Sequence, residues 1–564
     1  MEMSIEDATA ALTGPGAPFE IVEQDVLGQR LRCWKNIPAT TRALLLHGRD
    51  FGQQTFLVYE DERYSYREFY ERTAALARVL VERYGIEKGD RVALAMRNYP
   101  EWPMAFFAAS AVGAIVVPLN AWWKGGELGY GLSDSGSRVL ICDLERANLI
   151  APELRDLATL PPENVLVVRA EVEELPAGMR PCPQEAPGEG LPEVELSPDD
   201  DATIFYTSGT TGNPKGALGT HRNMMTNIGS VGFVRARATL RKGLPLPGPD
   251  EPPPRNVTLV SVPLFHVTGS HSMLAYGTYI GATLVLMHKW SPERALELIE
   301  REGVTNFGGV PAMAWQVLES AAFSGRDTSS VLGVGYGGAP AAPELVRRIG
   351  ERLPNASPSV GYGLTETSAV TTSNVGLDYQ HKPDSIGPAV PVCDVRVVGE
   401  SGKDMPPGEI GELWVRGPNV VRGYWNKPEA TEKSFAEGYL HTGDIVSIDA
   451  DGFIRILDRA KDMLIRGGEN VYCVEVEDVL YKHPEVMDAA VIGIPHRVLG
   501  EEVGAVVQRV PGSNVDAETL MAFAAERLAR FKVPVHIELR DAPLPRNANG
   551  KILKRQLKDE LGLT

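Results

Sequence analysis

The sequence predicts an α/β protein with largely parallel sheets, followed by a smaller domain of its own. Two observations carry the sheets and one carries the division. Short continuous apolar runs, of the kind that fit strands covered on both faces, alternate with amphipathic helices. The helices between them carry their own start and stop signals. Beyond Asp458 roughly a hundred residues repeat a separate strand–helix alternation, enough for an independent unit. The 564 residues leave room for three to four domain-sized units at roughly 150 residues each.

Residues 91–96 (RVALAM), 139–142 and 165–168 read as buried strands. Ser65 with Glu68 three residues on is a capping box opening a helix that stops near Gly85. Ser291-Pro292 opens another helix, and Gly303 closes it. The most apolar stretch, residues 102–117, is too short to span a bilayer, contains Pro103 and is closed by Pro118. It reads as a buried helix followed by a buried strand. Past Asp458, residues 486–494 and 502–510 read as strands, 517–530 as a helix and 536–539 as a strand. No internal repeat is visible. Residues 181–200, rich in Pro, Glu and Gly, read as a linker. Residues 242–255 carry six prolines among fourteen positions and read as an exposed, passive insertion.

Composition excludes several classes. Hydrophobic residues at 43% and charged residues at 23% are those of a soluble globular enzyme. The net charge of −18, with no Lys/Arg block, argues against a nucleic-acid partner but leaves room for a locally basic site. Five widely spaced cysteines without a CxxC argue against a disulfide framework or structural zinc. The acidic N-terminus lacks the basic and apolar regions of a signal peptide, so a cytoplasmic protein is expected.

The strongest chemical signal is Tyr206-Thr207-Ser208-Gly209-Thr210-Thr211-Gly212-Asn213-Pro214-Lys215-Gly216, after a predicted strand at 202–206. From Thr207 to Gly216 it packs four hydroxyls, three glycines and one lysine. Glycines let backbone N–H groups approach phosphate oxygens, hydroxyls add donors, and lysine adds a mobile charge. A plain surface turn needs no such hydroxyl density. Lys215 is followed by Gly216 rather than Ser or Thr, so this is not a Walker A loop. Gly333-Val334-Gly335-Tyr336-Gly337-Gly338 satisfies GxGxxG. A dinucleotide site would want an acidic residue about twenty positions on, and residues 355–361 (NASPSVG) offer none.

The hydroxyl- and glycine-rich segment resembles the signature loop of the adenylate-forming superfamily, which includes acyl-CoA synthetases, peptide-synthetase adenylation domains and beetle-type luciferases. Further segments match in family order from about residue 50 to 560. Tyr362-Gly363-Leu364-Thr365-Glu366-Thr367 resembles the motif whose ring stacks on adenine, whose Thr meets the α-phosphate and whose Glu holds Mg²⁺. Gly337-Gly338-Ala339-Pro340 resembles the loop lining adenine with backbone. Asp444, in Tyr439-Leu440-His441-Thr442-Gly443-Asp444, takes the place of the carboxylate on the ribose hydroxyls. Arg459 follows at the ribose or phosphate, and Lys461 at the hinge. Arg466-Gly467-Gly468 resembles the loop lining the pantetheine tunnel of CoA. Pro545-Arg546-Asn547-Ala548-Asn549-Gly550-Lys551 matches the C-terminal motif with its catalytic lysine. Cys473 stands where relatives commonly have proline, and nothing near it marks an activated nucleophile.

The resemblance implies a large N-terminal domain of stacked mixed and parallel sheets with helices (1–457), a hinge (458–462) and a small mobile α+β domain (463–564). It implies that the nucleotide is held by Thr207, Ser208, Gly209, Thr210, Thr211, Gly212, Lys215, Gly337, Gly338, Ala339, Pro340, Tyr362, Gly363, Thr365, Asp444, Arg459 and Lys551. The catalytic group would be Lys551, Glu366, Thr207 and Lys215, with Mg²⁺ on Glu366 and Thr210. His266, Val267, Thr268, Gly309, Gly335 and Gly361 would wall an acyl pocket, although a lone His266 could equally be a packed structural residue. These walls are small and apolar and carry no basic side chain, which favours a medium or long acyl chain or an aryl acid over a tightly charged one. The reaction implied is activation of a carboxylic acid by ATP and transfer of the acyl group to CoA. The alternatives are delivery of the acyl-AMP to a carrier protein or an amine and, remotely, a nicotinamide-dependent oxidoreductase. A homodimer is expected by analogy alone.

Overall fold

The computed structural model describes residues 2–183, 190–207, 213–248, 255–339, 341, 343–460, 462–467, 469–547 and 551–563. Two eight-stranded sheets organise the larger, N-terminal part. The first runs in the order Gly423–Tyr424, Lys215–Thr220, Asp201–Thr207, Ile115–Pro118, Arg91–Ala95, Val139–Asp143, Val165–Val168, Arg180–Pro181. The second runs Thr372–Val375, Ser357–Tyr362, Gly333–Gly337, Asn306–Gly309, Val257–Val260, Thr283–Leu286, Thr55–Tyr59, Glu62–Ser65. The interior pairings are parallel and the antiparallel ones lie toward the edges, so both sheets are mixed with a parallel centre.

The sheets stack across shared helices. Every residue from Trp102 to Ala111 of the helix Glu101–Ala111 is buried. It belongs to one core cluster with Val92 and Leu94 of the first sheet and Phe56, Val260 and Leu284 of the second. A helix apolar on every face is stable only where it is covered on every face, and this one is. The predicted helix limits hold at Ser65, whose side chain accepts the Glu68 N–H, and at Gly303, whose left-handed backbone closes Pro292–Glu302.

A five-stranded antiparallel sheet (Asp394–Val398, Ile410–Arg416, Phe435–Ala436, Tyr439–Ile448, Ile454–Arg459) follows, then the smaller C-terminal sheet. In the latter, Val486–His496 and Gly500–Arg509 form the long hairpin, and His536–Arg540 adds in parallel. Two expectations need adjustment. The helix expected over 517–530 stops at Ala525, because the N–H groups of Arg527 and Leu528 both turn back to the Ala524 carbonyl. The expected hinge at 458–462 begins inside the strand Ile454–Arg459, whose pairing with Tyr439–Ile448 sets Arg459 opposite Asp444.

Candidate active site

One cavity of about 1810 Å³ opens among these sheets, well above the roughly 300–1,000 Å³ of a single small-molecule pocket. Its lining brings Thr207, Lys215, Glu366, Arg459 and Lys551 to one space, although they are scattered over more than half the chain. Gly337, Gly338, Tyr362, Gly363, Thr365, His266, Val267, Thr268, Gly309, Gly335 and Gly361 also face it. Ser208, Gly209, Thr210, Thr211, Gly212, Pro340, Lys461 and Gly468 lie outside the described residues.

The two ends of the signature segment lie on paired strands. Asp201–Thr207 pairs antiparallel with Lys215–Thr220, and Thr207 and Lys215 are direct cross-strand partners. The Lys215 ammonium lies 4.7 Å from the centroid of the Tyr424 ring, a cation–π distance. Tyr424 reaches the site on the short strand paired to Lys215–Thr220, and its hydroxyl donates to Glu366 Oε1 at 2.7 Å. Burial and the Glu366 carboxylate push the Tyr424 phenol pKa upward, so it remains a donor. The Val421 N–H donates to the Glu366 carbonyl at 2.9 Å, and Asn419 donates to the Thr367 carbonyl at 3.2 Å. The stretch from Asn419 to Tyr424 thus braces Glu366 through both backbone and side chain. Sequence reasoning passed over Tyr424, since no local spacing links it to a residue 58 positions away.

The opposite wall is backbone. Gly333, Gly335 and Gly337 share one face of a strand by its period of two, while Val334 and Tyr336 are buried in core on the other. A Cβ on Gly337 would come within 2.5 Å of the Gly361 carbonyl oxygen. The GxGxxG match is therefore an interior strand, paired in parallel on both sides, and not a phosphate-binding turn. That removes the structural basis of the nicotinamide reading. Ala339 does not line the cavity.

Asp444 sits just behind the lining, buried at 3% exposure. Its Oδ2 accepts from the Tyr362 hydroxyl at 2.6 Å, and its Oδ1 pairs with Arg459 Nε at 2.6 Å. A carboxylate offers about four acceptor positions, so both oxygens keep capacity for further donors. Lys551 Nζ stands 3.7 Å from Asp462 Oδ2, and its backbone N–H donates to Asn547 Oδ1 at 3.0 Å.

The remaining arm of the cavity runs along the helix His221–Arg241 and a π-helical turn over Thr268–Ala275, a distortion often found at functional sites. Val231, Val234, Met273, Tyr276, Phe307 and Met313 make it apolar. His266 Nε2 is enclosed and, among the described residues, has no hydrogen-bond partner; burial pushes the imidazole pKa down to about 3, so the ring is neutral. Arg235 and Lys242 also line this arm, a basic contribution the sequence reading missed because they belong to a helix and its end rather than to the matched segments. The insertion is accordingly not wholly passive at its start: Lys242 donates to Ser357 Oγ at 2.7 Å, and Leu244 faces the cavity.

The expected CoA loop stands apart. Arg466 forms a two-point ion pair with Glu502 at 2.7 and 2.9 Å, Gly467 is exposed, and neither lines the cavity in this conformation. All five cysteines are free. Burial pushes the Cys473 thiol well up, and its Sγ donates to the Asp462 carbonyl at 3.1 Å, so it is a packed thiol and not a nucleophile. Among the described residues no helix is long and apolar enough to cross a membrane.

Comparison with known proteins agrees with this geometry. Residues 46–425 match the AMP-binding enzyme family and residues 475–551 its C-terminal domain. The chain is 36% identical over 501 residues to a feruloyl-CoA synthase of Amycolatopsis sp., covering 88% of this chain and 94% of that one. It is 33% identical over 537 residues to a long-chain-fatty-acid–CoA ligase of Yersinia pestis, covering 90% and 92%. The ATP-bound structure of MatB from Rhodopseudomonas palustris superposes with a TM-score of 0.79 at 30% identity, covering 93% and 99%. The chain belongs to the AMP-binding enzyme family, the adenylate-forming superfamily, and is an acyl-CoA synthetase of the AMP-forming ligase type.

Proposed function

We propose that this ligase activates a medium- or long-chain fatty acid or an aryl acid with ATP and passes the acyl group to CoA. The carrying observation is the cavity in which Lys215, Glu366, Arg459 and Lys551 share space with a largely apolar lining that includes Val231, Val234, Met273 and Phe307 beside the basic Arg235 and Lys242. A carboxylate is a poor electrophile. In the first half-reaction its oxygen attacks the α-phosphorus, the bond to the β-phosphate oxygen breaks, and pyrophosphate leaves. In the second, the CoA thiol attacks the acyl carbonyl and AMP departs with the bonding pair.

The residues fit these demands. Negative charge grows around the α-phosphate, and catalysis there is mostly positioning and electrostatics. Lys551 and Lys215 bring mobile positive charge to it, and Thr207 brings a hydroxyl. Asp444, held by Tyr362 and Arg459, is set to accept the ribose hydroxyls. Among the described residues no cluster of three His, Cys, Asp or Glu side chains could hold a metal alone. One carboxylate completed by phosphate oxygens and water is how Mg²⁺ is usually bound, and Glu366 fits that pattern. When bound, Mg²⁺ neutralises phosphate charge. His266, neutral and with no partner on Nε2 among the described residues, is available to the acid's carboxylate. The feruloyl and long-chain fatty acids named for its relatives are the first candidates.

The test is pyrophosphate release with ATP and Mg²⁺ across short, medium and long fatty acids plus benzoate and cinnamate types, with and without CoA. Turnover that requires CoA and peaks on one of the larger acid classes is expected. Activation with no CoA dependence would keep adenylation and overturn the thioester step, directing attention to carrier proteins and amines.

A further inference from the structure

Lys554 stands three residues beyond Lys551, and the adenylation reading gives it no role. Its ammonium lies 2.7 Å from Glu477 Oε1, with side-chain exposures of 21% and 10%. The same Glu477 oxygen accepts the Val491 N–H at 2.8 Å. Asp458 is the third charge, 3% exposed, accepting the backbone N–H groups of Arg459 and Cys473. Burial pushes its carboxyl up to about 6 against the opposing charge of Lys554. The ammonium is thus paired with Glu477 alone, while Asp458 holds the first residue of the helix that carries Glu477 through the Cys473 N–H.

The cluster joins elements on both sides of the expected hinge at 458–462. Asp458 belongs to the strand Ile454–Arg459, whose next residue pairs with Asp444. Cys473 opens the helix Cys473–Tyr481, which carries Glu477, and Lys554 opens the helix Lys554–Glu560. A buried charge is tolerated only while its partners stay in place, so these contacts resist displacement of either helix. Their reach to Lys551 is short. The loop before Lys554 is pinned by the Leu553 N–H to the Pro545 carbonyl at 2.8 Å, a bridge between Arg546 and Ile552, and an ion pair of Arg546 with Asp488. Fixing Lys554 thus fixes the start of the segment that presents Lys551 to the cavity.

We propose that Lys554 is a positioning residue for adenylation: held by Glu477, on the helix whose first N–H Asp458 accepts across the hinge, it keeps Lys551 at the nucleotide end of the cavity. A rotation at 458–462 would part Asp458 from Cys473 while leaving the Lys554–Glu477 pair within the small domain. The Asp458–Cys473 contact then belongs to the adenylating posture, and the effect of Lys554 on the first half-reaction runs through Lys551. This inference rests on Lys551 serving the first half-reaction.

The test measures both half-reactions separately in the full chain: acid-dependent pyrophosphate exchange, and thioester formation from supplied acyl-AMP and CoA. Lys554→Met is expected to lose at least tenfold in the first and less than threefold in the second. Lys554→Arg is expected to recover most of the loss. The second half-reaction also reports that the small domain has folded. Equal loss in both halves, or loss in neither, would overturn the proposal. Lys551→Ala runs beside it. If that variant separates the halves and Lys554→Met does not, the positioning role alone falls. If Lys551→Ala fails to separate them, the reading beneath falls and takes this inference with it.

Discussion

The Tyr424 hydroxyl donates to Glu366 Oε1 at 2.7 Å while the Lys215 ammonium rests 4.7 Å from the centroid of the same ring. One phenol therefore spaces the acidic and basic groups that line the nucleotide end of the cavity. With its hydroxyl committed to Oε1, the carboxylate keeps its other oxygen for a cation.

Tyr424→Phe keeps the ring under Lys215 and removes the hydrogen bond. A hydrogen bond to a charged group contributes about 1.5–3 kcal/mol, so kcat/KM for ATP should fall roughly ten- to hundredfold. The half-saturating Mg²⁺ concentration should rise, with KM for the acid unchanged. Initial rates at varied ATP, Mg²⁺ and acid check this. A change confined to the acid would show that Tyr424 does not act through Glu366.

The glycine strand separates a folding constraint from a pocket constraint. A Cβ on Gly308 would stand 1.6 Å from the Gly335 carbonyl oxygen, in the interior of a parallel sheet. Gly308→Ala should cost about 4 kcal/mol or more, or fail to fold. A Cβ on Gly335 would meet only Ser359 Oγ at 3.0 Å, a side-chain atom that can rotate away. Gly335→Ala should fold with a near-native melting temperature and favour smaller acids, because Gly335 lines the cavity. Thermal melting and the acid panel together decide it; an unchanged acid profile in a folded Gly335→Ala would remove that position from the acyl wall.

Three enclosed histidines set an acid limit. Burial pushes His221 down to about 4 and His266 and His271 down to about 3, so all three stay neutral in the folded protein well below the ordinary histidine value near 6.5. The unfolded chain then binds more protons at these residues than the folded one between those values, so the histidines' contribution to stability falls as pH drops below about 6.5. At pH 5 each histidine accounts for about 2 kcal/mol of that loss. His271→Gln should flatten the dependence of stability on pH by one proton, about 1.4 kcal/mol per pH unit near pH 5. Denaturant unfolding from pH 7 to pH 4.5 reads this directly, and parallel curves for the two proteins would contradict it.

The sequence by itself determined the buried strands expected over 91–96, 139–142 and 165–168, the strand leading to Thr207, and the caps at Ser65 and Gly303, because each is set by local chemistry: continuous apolar runs and side chains or glycines that cap a backbone end. Glu366, Asp444, Arg459 and Lys551 are reached from the sequence only through the resemblance of their segments, in order, to the adenylate-forming superfamily. Tertiary structure alone decided how these meet. The seating of Glu366 on Tyr424, the engagement of both Asp444 oxygens, the entry of Arg235 and Lys242 into the cavity lining, and the Glu477–Lys554 pair all join residues far apart in the chain. Such contacts leave no periodicity to read, since they depend on sheet register and helix packing. The GxGxxG stretch makes the same point in reverse: its spacing suits a phosphate turn, yet pairing on both sides makes it a strand whose glycines clear a wall.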